Sequence, residues 1–340
     1  MNRLVSGRLL WLAVLISASP VILWPCGIAR AQERDAESEI IANLAGGRVI
    51  VHVTKDEVIV FGAIDQPVEA GSVPPRVLEL DSTHVGILLG ASEWRLPADP
   101  KPVRLDRDFQ HIGGRDPRER GNGVDAEPDL EAIGISFLER LRPLVSQLHH
   151  KIEIAADEPL FSVVVIGYAP GRNGPEVWTV EYRIQQQQVG AREEYWQTRI
   201  LRPRFEQLYP PEKHAPRTIV EVRYPAATKG PTVMELIQGN DPRLAQLRGG
   251  EPRFAKVLDS VERGQAQKAV SMDATDFMRA LLPLLAGKNS FVLAKMEEEH
   301  GLEWIVEPAE AVNKAERAKD GKEDKDRPAD APTLRKRPKP

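Results

Sequence analysis

Few side chains in this sequence have the types and spacing that acid–base or metal chemistry requires. His52 and His84 fall in segments predicted as β-strands, where the two rings could meet across a sheet. Asp65 with either histidine would supply the proton-transfer groups of a hydrolase, because imidazole exchanges protons near neutral pH. For both histidines we favour a hydrogen-bonded strand residue over a metal ligand.

A second group of candidate ligands comprises His149 and His150, followed by Asp157 and Glu158. Adjacent helical residues point about 100° apart, so the two rings cannot chelate one ion as an i, i+4 pair does. The chain also lacks the H-E-x-x-H, G-x-S-x-G and phosphate-loop patterns. We therefore expect neither a metal nor a cofactor.

The N-terminal segment, residues 1–31, is typical of an export signal. Arg3 and Arg8 precede the apolar run 9–16, and Ala29-Arg30-Ala31 has the small residues that a signal peptidase accepts. We expect cleavage after Ala31, a secreted or periplasmic product, and no stable membrane span after cleavage. The alternative is an uncleaved anchor, although its apolar run is short for a full span and is interrupted by proline.

Cleavage would remove Cys26, the single cysteine, so the exported chain would contain no thiol nucleophile and no disulfide. It would also remove three arginines from the 46 basic residues, leaving 43 against 50 acidic residues and a formal charge of −7. This balance argues against nucleic-acid binding by the folded part.

The C-terminal residues 309–340 have no apolar periodicity. They contain 10 basic and 7 acidic residues among 32 and end in Arg335-Lys336-Arg337-Pro338-Lys339. Such a segment cannot bury enough apolar surface to offset its ordering entropy, so we predict a disordered tail. Its basic end could bind a polyanion, but we favour a solvated tail.

Residues 32–45 are predicted as a linker and residues 46–308 as the folded domain. The domain opens with a predicted β-hairpin, 49–53 and 58–61, whose β-branched runs flank a short polar break. The other predicted strands are 76–80, 85–89, 161–169, 177–184, 195–201, 218–224, 291–296 and 302–307. The predicted helices are 129–152, 242–247, 252–263 and 274–286, and residues 97–128 are predicted as a long mobile loop. This alternation indicates an α+β layered architecture.

Four aromatic residues near the centre of the domain, Trp178, Tyr182, Tyr195 and Trp196, could form a platform for a sugar or a peptide. We favour core positions in a widened sheet, because aromatic residues are enriched in strands. The glutamine run 185–188 is predicted as a strand edge or turn.

Three segments carry a resemblance to a known family. VIVHVTKDEVIVFGAID and RVLELDSTHVGILLG, followed by EPLFSVVVIGYAPGRNGPEVWTVEYRI, resemble in order and spacing the strands of proteasome-type N-terminal nucleophile hydrolases. The resemblance covers most of the domain and implies a four-layer αββα sandwich. The resemblance further implies assembly of copies through helix layers. The sequence departs from the family in two places, because residues 190–225 add a strand pair and the predicted loop 97–128 replaces a helix.

The chemistry of that family is not supported by this sequence. The family uses an N-terminal threonine, serine or cysteine at the start of the first strand, with its own amino group as base. Gly46 and Gly47 occupy this place, Asp65 is the nearest match to the family's strand-end acid, and Arg76 aligns with its lysine. Arginine stays protonated at neutral pH and cannot exchange protons as lysine does.

The sequence therefore predicts an exported, non-catalytic protein of this fold that acts by binding or self-assembly. The expected partner is a second copy or another envelope protein. The alternative is an exported peptidase or amidase that uses a different constellation, such as Asp65 with His52 or His84.

Overall fold

A computed structural model of the chain describes residues 41–54, 56, 58–66, 75–80, 83–95, 103–113, 130–152, 154, 158–168, 174–190, 195–211, 218–226, 230–265 and 270–308. The predicted export signal and the predicted tail lie outside these residues. Within these ranges no helix combines the length and the apolar character that crossing a membrane requires.

The described chain is an α+β structure whose strand ladders are all antiparallel. Sheet A contains β1 (Ile41–Ala45), β4 (Arg76–Glu79), β5 (His84–Arg95), β6 (Val103–Arg104), β7 (Phe161–Tyr168), β8 (Pro175–Tyr182) and β11 (Arg204–Tyr209). Sheet B has the order β12 (Ile219–Tyr224), β2 (Gly47–Val53), β3 (Val58–Asp65), β13 (Phe291–Glu297) and β14 (Gly301–Val306). Strands β9 (Ile184–Gln188) and β10 (Trp196–Ile200) form a separate two-stranded hairpin.

Six helices are described. They are α1 (Leu105–Gly113), α2 (Leu130–Val145), α3 (Val233–Gln238), α4 (Pro242–Gly250), α5 (Pro252–Glu262) and α6 (Ser271–Ala286). Helices α1 and α2 pack on sheet A through residues that include Phe109 and Phe137, whereas α3 to α6 pack on sheet B. Gly62 of β3 lets α6 approach closely, since a Cβ there would lie 2.4 Å from Leu282 Cδ1.

A third apolar core joins residues of the two sheets. It contains Val49, Val51 and Phe61 from sheet B with Ile87 and Val164 from sheet A. Strands β2, β3 and β7 are therefore covered on both faces, and they are buried along nearly their whole length. This double burial explains why their sequences are continuous apolar runs without the alternation of a half-exposed strand.

Most predicted elements are present. The opening hairpin, the pair 76–80 and 85–89, and the closing hairpin 291–296 and 302–307 all form with the expected antiparallel pairing. The predicted helix 129–152 is described as α2, which ends at Val145.

Two predictions about the connecting segments were wrong. The predicted linker 32–45 includes β1, which pairs with β5. The predicted loop 97–128 contains β6 and helix α1, so a helix is present where a loop was expected. Helix α1 buries Leu105 and Phe109, one turn apart, and its polar sequence context concealed this short apolar stripe.

Candidate functional site

The family resemblance places a nucleophile at the start of β2, where the structure has Gly47. Gly47 lies opposite Asp65 on one side and Tyr224 on the other. A Cβ at Gly47 would lie 2.4 Å from Pro75 Cγ and 2.7 Å from the Ile64 carbonyl oxygen. Both distances are far below van der Waals contact, so this position has no room for the side chain of a threonine, serine or cysteine.

The chain that precedes Gly47 is part of the folded structure. Strand β1 ends at Ala45 and pairs with β5 in sheet A, whereas β2 begins at Gly47 in sheet B. Gly46 alone joins the two sheets at this point, and its carbonyl accepts a hydrogen bond from Gln66 N at 3.3 Å. The nitrogen of Gly47 is therefore an internal amide, and it cannot act as the general base that an N-terminal amine provides.

Asp65 ends β3 beside this position, and its contacts hold it in place. Its backbone N–H donates to the Ser290 carbonyl at 2.9 Å. Burial raises the pKa of the Asp65 carboxyl, and a hydrogen bond with the Ser290 side chain opposes that rise. Asp65 thus interacts with the turn before β13.

Arg76 belongs to sheet A, where it lies opposite Leu88 of β5. Its Nη2 is 3.9 Å from Glu93 Oε2, and the two side chains are 12% and 13% exposed. The residue before it, Pro75, is the one that closes the space beside Gly47. Arg76, which the sequence resemblance aligns with a lysine, is therefore paired with a carboxylate.

His52 is fully buried on the helix-facing side of sheet B. Its ring meets Phe277 of α6 edge-on, with centroids 6.4 Å apart, and neither ring nitrogen has a hydrogen-bond partner among the described residues. Burial lowers the pKa of His52 to about 4. The ring is thus neutral at physiological pH, and the expected hydrogen-bonded strand histidine is not what the structure has here.

His84 lies in sheet A, opposite Gly167 of β7. Its Nδ1 and Thr83 Oγ1 are hydrogen-bonded at 3.0 Å. His52 and His84 thus belong to different sheets, and the His52 ring packs on a helix outside the space between the sheets.

Asp65 and His52 are also far apart along the ladder that joins β2 and β3. Gly47 pairs with Asp65, and His52 pairs with Val60, five positions further along the ladder. At about 3.3 Å per residue the two pairs are separated by roughly 16 Å. The structure therefore does not bring Asp65 and His52 together as an acid–base pair.

The second group of candidate ligands is not assembled either. The His149 ring stacks on Tyr195 at 4.8 Å, and Glu158 accepts a hydrogen bond from Ala226 N at 2.6 Å, while Asp157 lies outside the described residues. No group of three or more potential metal ligands occurs in the described part of the chain.

The four aromatic residues do not form one surface. Tyr182 is a core residue whose hydroxyl donates to the Gly134 carbonyl at 3.0 Å, and burial raises its pKa. Trp178 is half-buried on β8, and its indole N–H donates to Glu176 at 2.8 Å. Only Tyr195 and Trp196 lie together, on the β9–β10 hairpin, where Tyr195 is 45% exposed.

A buried charge network next to Gly47 was not predicted from the sequence. Glu221 of β12 accepts hydrogen bonds from Arg48 Nε at 2.9 Å and from Arg223 Nε at 2.6 Å. Its second oxygen accepts from Val233 N at 2.7 Å, at the start of α3. The signal for this network was the placement of Glu221 and Arg223 two residues apart in a strand, since such residues share one face.

The comparisons with known proteins identify no relative: no family model matches the chain, and no curated protein matches it.

Proposed function

We propose that the chain is an exported, non-catalytic protein of the proteasome-type layered fold, and that it acts by binding or self-assembly. Two antiparallel sheets that pack face to face, each with helices on its outer face, support the four-layer αββα arrangement. The export signal at residues 1–31 supports a secreted or periplasmic location.

The space beside Gly47 is the observation that carries this proposal. The family's nucleophile would stand there, yet Pro75 and Ile64 leave no volume for a side chain. The chain also continues from Gly47 through Gly46 into β1, which is paired in the other sheet. A cleavage that freed an amine at Gly47 would expose a glycine, which has no hydroxyl or thiol to attack with.

The surrounding groups support the same conclusion. Arg76 is paired with Glu93, and a guanidinium does not substitute for the lysine amine on which the family's mechanism depends. Asp65 lies in a different sheet from His84 and about 16 Å along the ladder from His52. The alternative hydrolase would need these groups in one cleft, because proton transfer requires hydrogen-bond reach.

The proposal is tested by assaying the purified protein on fluorogenic peptide and amide substrates. We expect no turnover above the level of a matched triple variant, Asp65→Asn, His52→Gln and His84→Gln, which removes every candidate proton-transfer group. Turnover that this variant loses would support the alternative hydrolase and overturn the non-catalytic proposal. Activity lost on chemically blocking a newly exposed threonine or serine N-terminus would overturn it as well.

The binding part of the proposal is tested by size-exclusion chromatography with light scattering, combined with capture from the cell envelope. An oligomer, or a defined envelope partner captured by the native but not by the heat-denatured protein, is the expected result. A clean monomer that captures nothing would contradict it.

A further inference from the structure

The β9–β10 hairpin lies outside both sheets and is anchored on one face only. Thr198 Oγ1 donates to the Leu148 carbonyl at 3.0 Å, and Gln186 Nε2 donates to the His150 carbonyl at 3.0 Å. Gln186 Oε1 accepts from Ile152 N at 2.9 Å. The inner face of the hairpin is therefore fixed to the segment that follows α2, and its opposite face points to solvent.

The hydrogen-bonding pattern shows which backbone groups of β9 point away from β10. Val189 N donates to the Tyr195 carbonyl at 3.1 Å, and Leu201 N donates to the Arg183 carbonyl at 2.8 Å. In an antiparallel ladder the paired groups alternate, so residues 183, 185, 187 and 189 bond to β10. Ile184, Gln186 and Gln188 then direct both N–H and C=O toward the open edge.

Within the ranges that the structure describes, no strand pairs with the β9 side of this hairpin. The backbone of β10 already has a partner on its far side, because Trp196 N donates to the His149 carbonyl at 2.8 Å. Among the described residues β9 pairs with β10 alone. A row of outward-facing backbone donors and acceptors is a template for another strand.

The solvent face of the hairpin also exposes apolar side chains. Five large apolar residues are exposed in the described chain, and three of them, Val189, Tyr195 and Leu201, lie at the two ends of this hairpin. They alternate with the buried Thr198 and Ile200, so they fall on the outer face. Gln187 and Gln197 lie opposite each other between these ends.

We propose that β9 pairs with β9 of a second copy of this chain, antiparallel about a two-fold axis at Gln186. The result is a continuous four-stranded sheet with the order β10, β9, β9 and β10, in which Ile184 of each copy pairs with Gln188 of the other. This assembly rests on the proposed binding function, and it identifies β9 as the surface through which two copies bind. A two-stranded hairpin is marginal alone, and joining two of them satisfies the outward backbone groups of both.

The absence of charged residues in β9 favours a second copy of β9 as the partner strand. An isologous contact brings a strand against itself, so any charge near the axis meets its own kind. Strand β9 has no charged residue, whereas β10, β11, β12 and β14 contain Arg199, Arg204, Glu221 and Glu303. The arginine before β9, Arg183, is neutralised by Glu181 at 2.9 Å.

The C-terminal residues 309–340 are a poorer occupant of the same edge. They contain 17 charged residues and four prolines among 32 residues. Proline cannot donate to a ladder, and a charged segment cannot lie against a neutral, partly apolar face without losing hydration.

Light scattering over a concentration series, on the protein purified from expression of the full-length sequence, tests the proposal. Gln188→Pro removes one outward N–H without removing a bond to β10. Gln187→Lys places two like charges about 8 Å apart across the axis, on one face of the new sheet. Each variant is expected to raise the dimer Kd at least tenfold. The matched control, Gln197→Lys, adds the same charge on the same face but on β10, one strand further from the two-fold axis, and it should change Kd less than threefold.

Circular dichroism and the melting temperature establish that each variant folds. A dimer whose Kd is unchanged by Gln188→Pro and Gln187→Lys would overturn the proposed surface and leave the binding function standing. A monomeric wild type that captures a defined envelope partner would have the same consequence. A wild-type dimer that is lost on truncation after Pro308 would place the tail in the contact, and the pairing of β9 with a second β9 would fail.

Discussion

The absence of a side chain at Gly47 has a structural role. The lack of a Cβ allows Pro75 to approach, so the segment before β4 closes against the first residue of β2. A nucleophile at this place would need both a side chain and a free amine, and the structure has room for neither.

Gly47→Ala is therefore expected to destabilise the protein by about 1–3 kcal/mol, the usual cost of forcing additional atoms into a packed site. Urea unfolding measures the change. Gly249→Ala is the matched control, because nothing lies within 4 Å of a Cβ at that helical position, and it should be neutral or slightly stabilising. Equal stability of Gly47→Ala and wild type would show that the space beside Gly47 is open.

His52 contributes a pH dependence to folding. Its folded pKa is about 4, below the ordinary histidine value of 6.5, so between pH 4 and pH 6.5 the unfolded chain binds a proton that the folded chain does not. The free energy of unfolding should thus fall as pH decreases from 6.5 to 4, by about 3 kcal/mol at 1.36 kcal/mol per pH unit, and this contribution should be constant below pH 4.

His52→Leu is expected to remove most of this slope and to be neutral or stabilising at pH 7, because it replaces two buried nitrogens without partners by apolar atoms. Urea unfolding at pH 7 and pH 4.5 provides the comparison. His300→Gln, at a side chain that is 76% exposed, is the control and should keep the wild-type slope. An unchanged slope in His52→Leu would indicate that other groups cause the acid sensitivity.

Glu221 connects three elements, β2, β12 and α3, through hydrogen bonds with Arg48, Arg223 and Val233. The Arg48 and Glu221 side chains are only 6% and 7% exposed, so solvent screens their interaction weakly.

We expect Glu221→Gln to lower the free energy of unfolding by about 3–5 kcal/mol, since it leaves buried guanidinium groups without their counter-charge. Glu139→Gln, which breaks the exposed pair with Arg142, should cost less than about 1 kcal/mol. Urea unfolding measures both variants. Similar losses of unfolding free energy would show that the buried network contributes no more to stability than an exposed ion pair does.

The elements differ in how well the sequence predicts them, and burial explains the difference. Strands such as β7 are covered on both faces, so their continuous apolar runs are conspicuous. Among its described side chains helix α1 buries the apolar Leu105 and Phe109, and β9 lies at an edge with a polar sequence, so neither has a strong pattern. Segments at the margin of a core thus carry the weakest sequence signal.

Predicting a site requires contacts between distant parts of the chain, and these are not readable from periodicity. The absence of a nucleophile at Gly47 was evident from the sequence, but its closure by Pro75 depends on how sheet A meets sheet B. The lack of a hydrogen-bond partner for His52 likewise depends on the packing of α6, which local patterns do not encode.

Export with signal cleavage predicts which residue is the N-terminus of the mature protein. Signal peptidase acts after small residues, so the mature chain should begin at Gln32 or at its cyclised, blocked form. Intact-mass spectrometry of the protein recovered from the periplasm or the medium measures this end. Ala31→Arg should block cleavage as a control, and a full-length protein in the cytoplasm would contradict the prediction.

The folded part should be stable without residues 309–340. Charge pairs four residues apart are worth only about 0.2–0.5 kcal/mol each, too little to stabilise an isolated helix of this length, and the segment has no apolar stripe that could pack on a core. Truncation after Pro308 should therefore change the melting temperature by no more than about 2 °C, as expected for a surface change below 0.5 kcal/mol. Truncation before Phe291 is the destabilising control, because it removes β14 and β13, the strand that pairs with β3, and with them the buried Leu293 and Met296. A large drop on removal of 309–340 alone would mean that this segment packs on the folded part, and its basic end would then act within the same molecule.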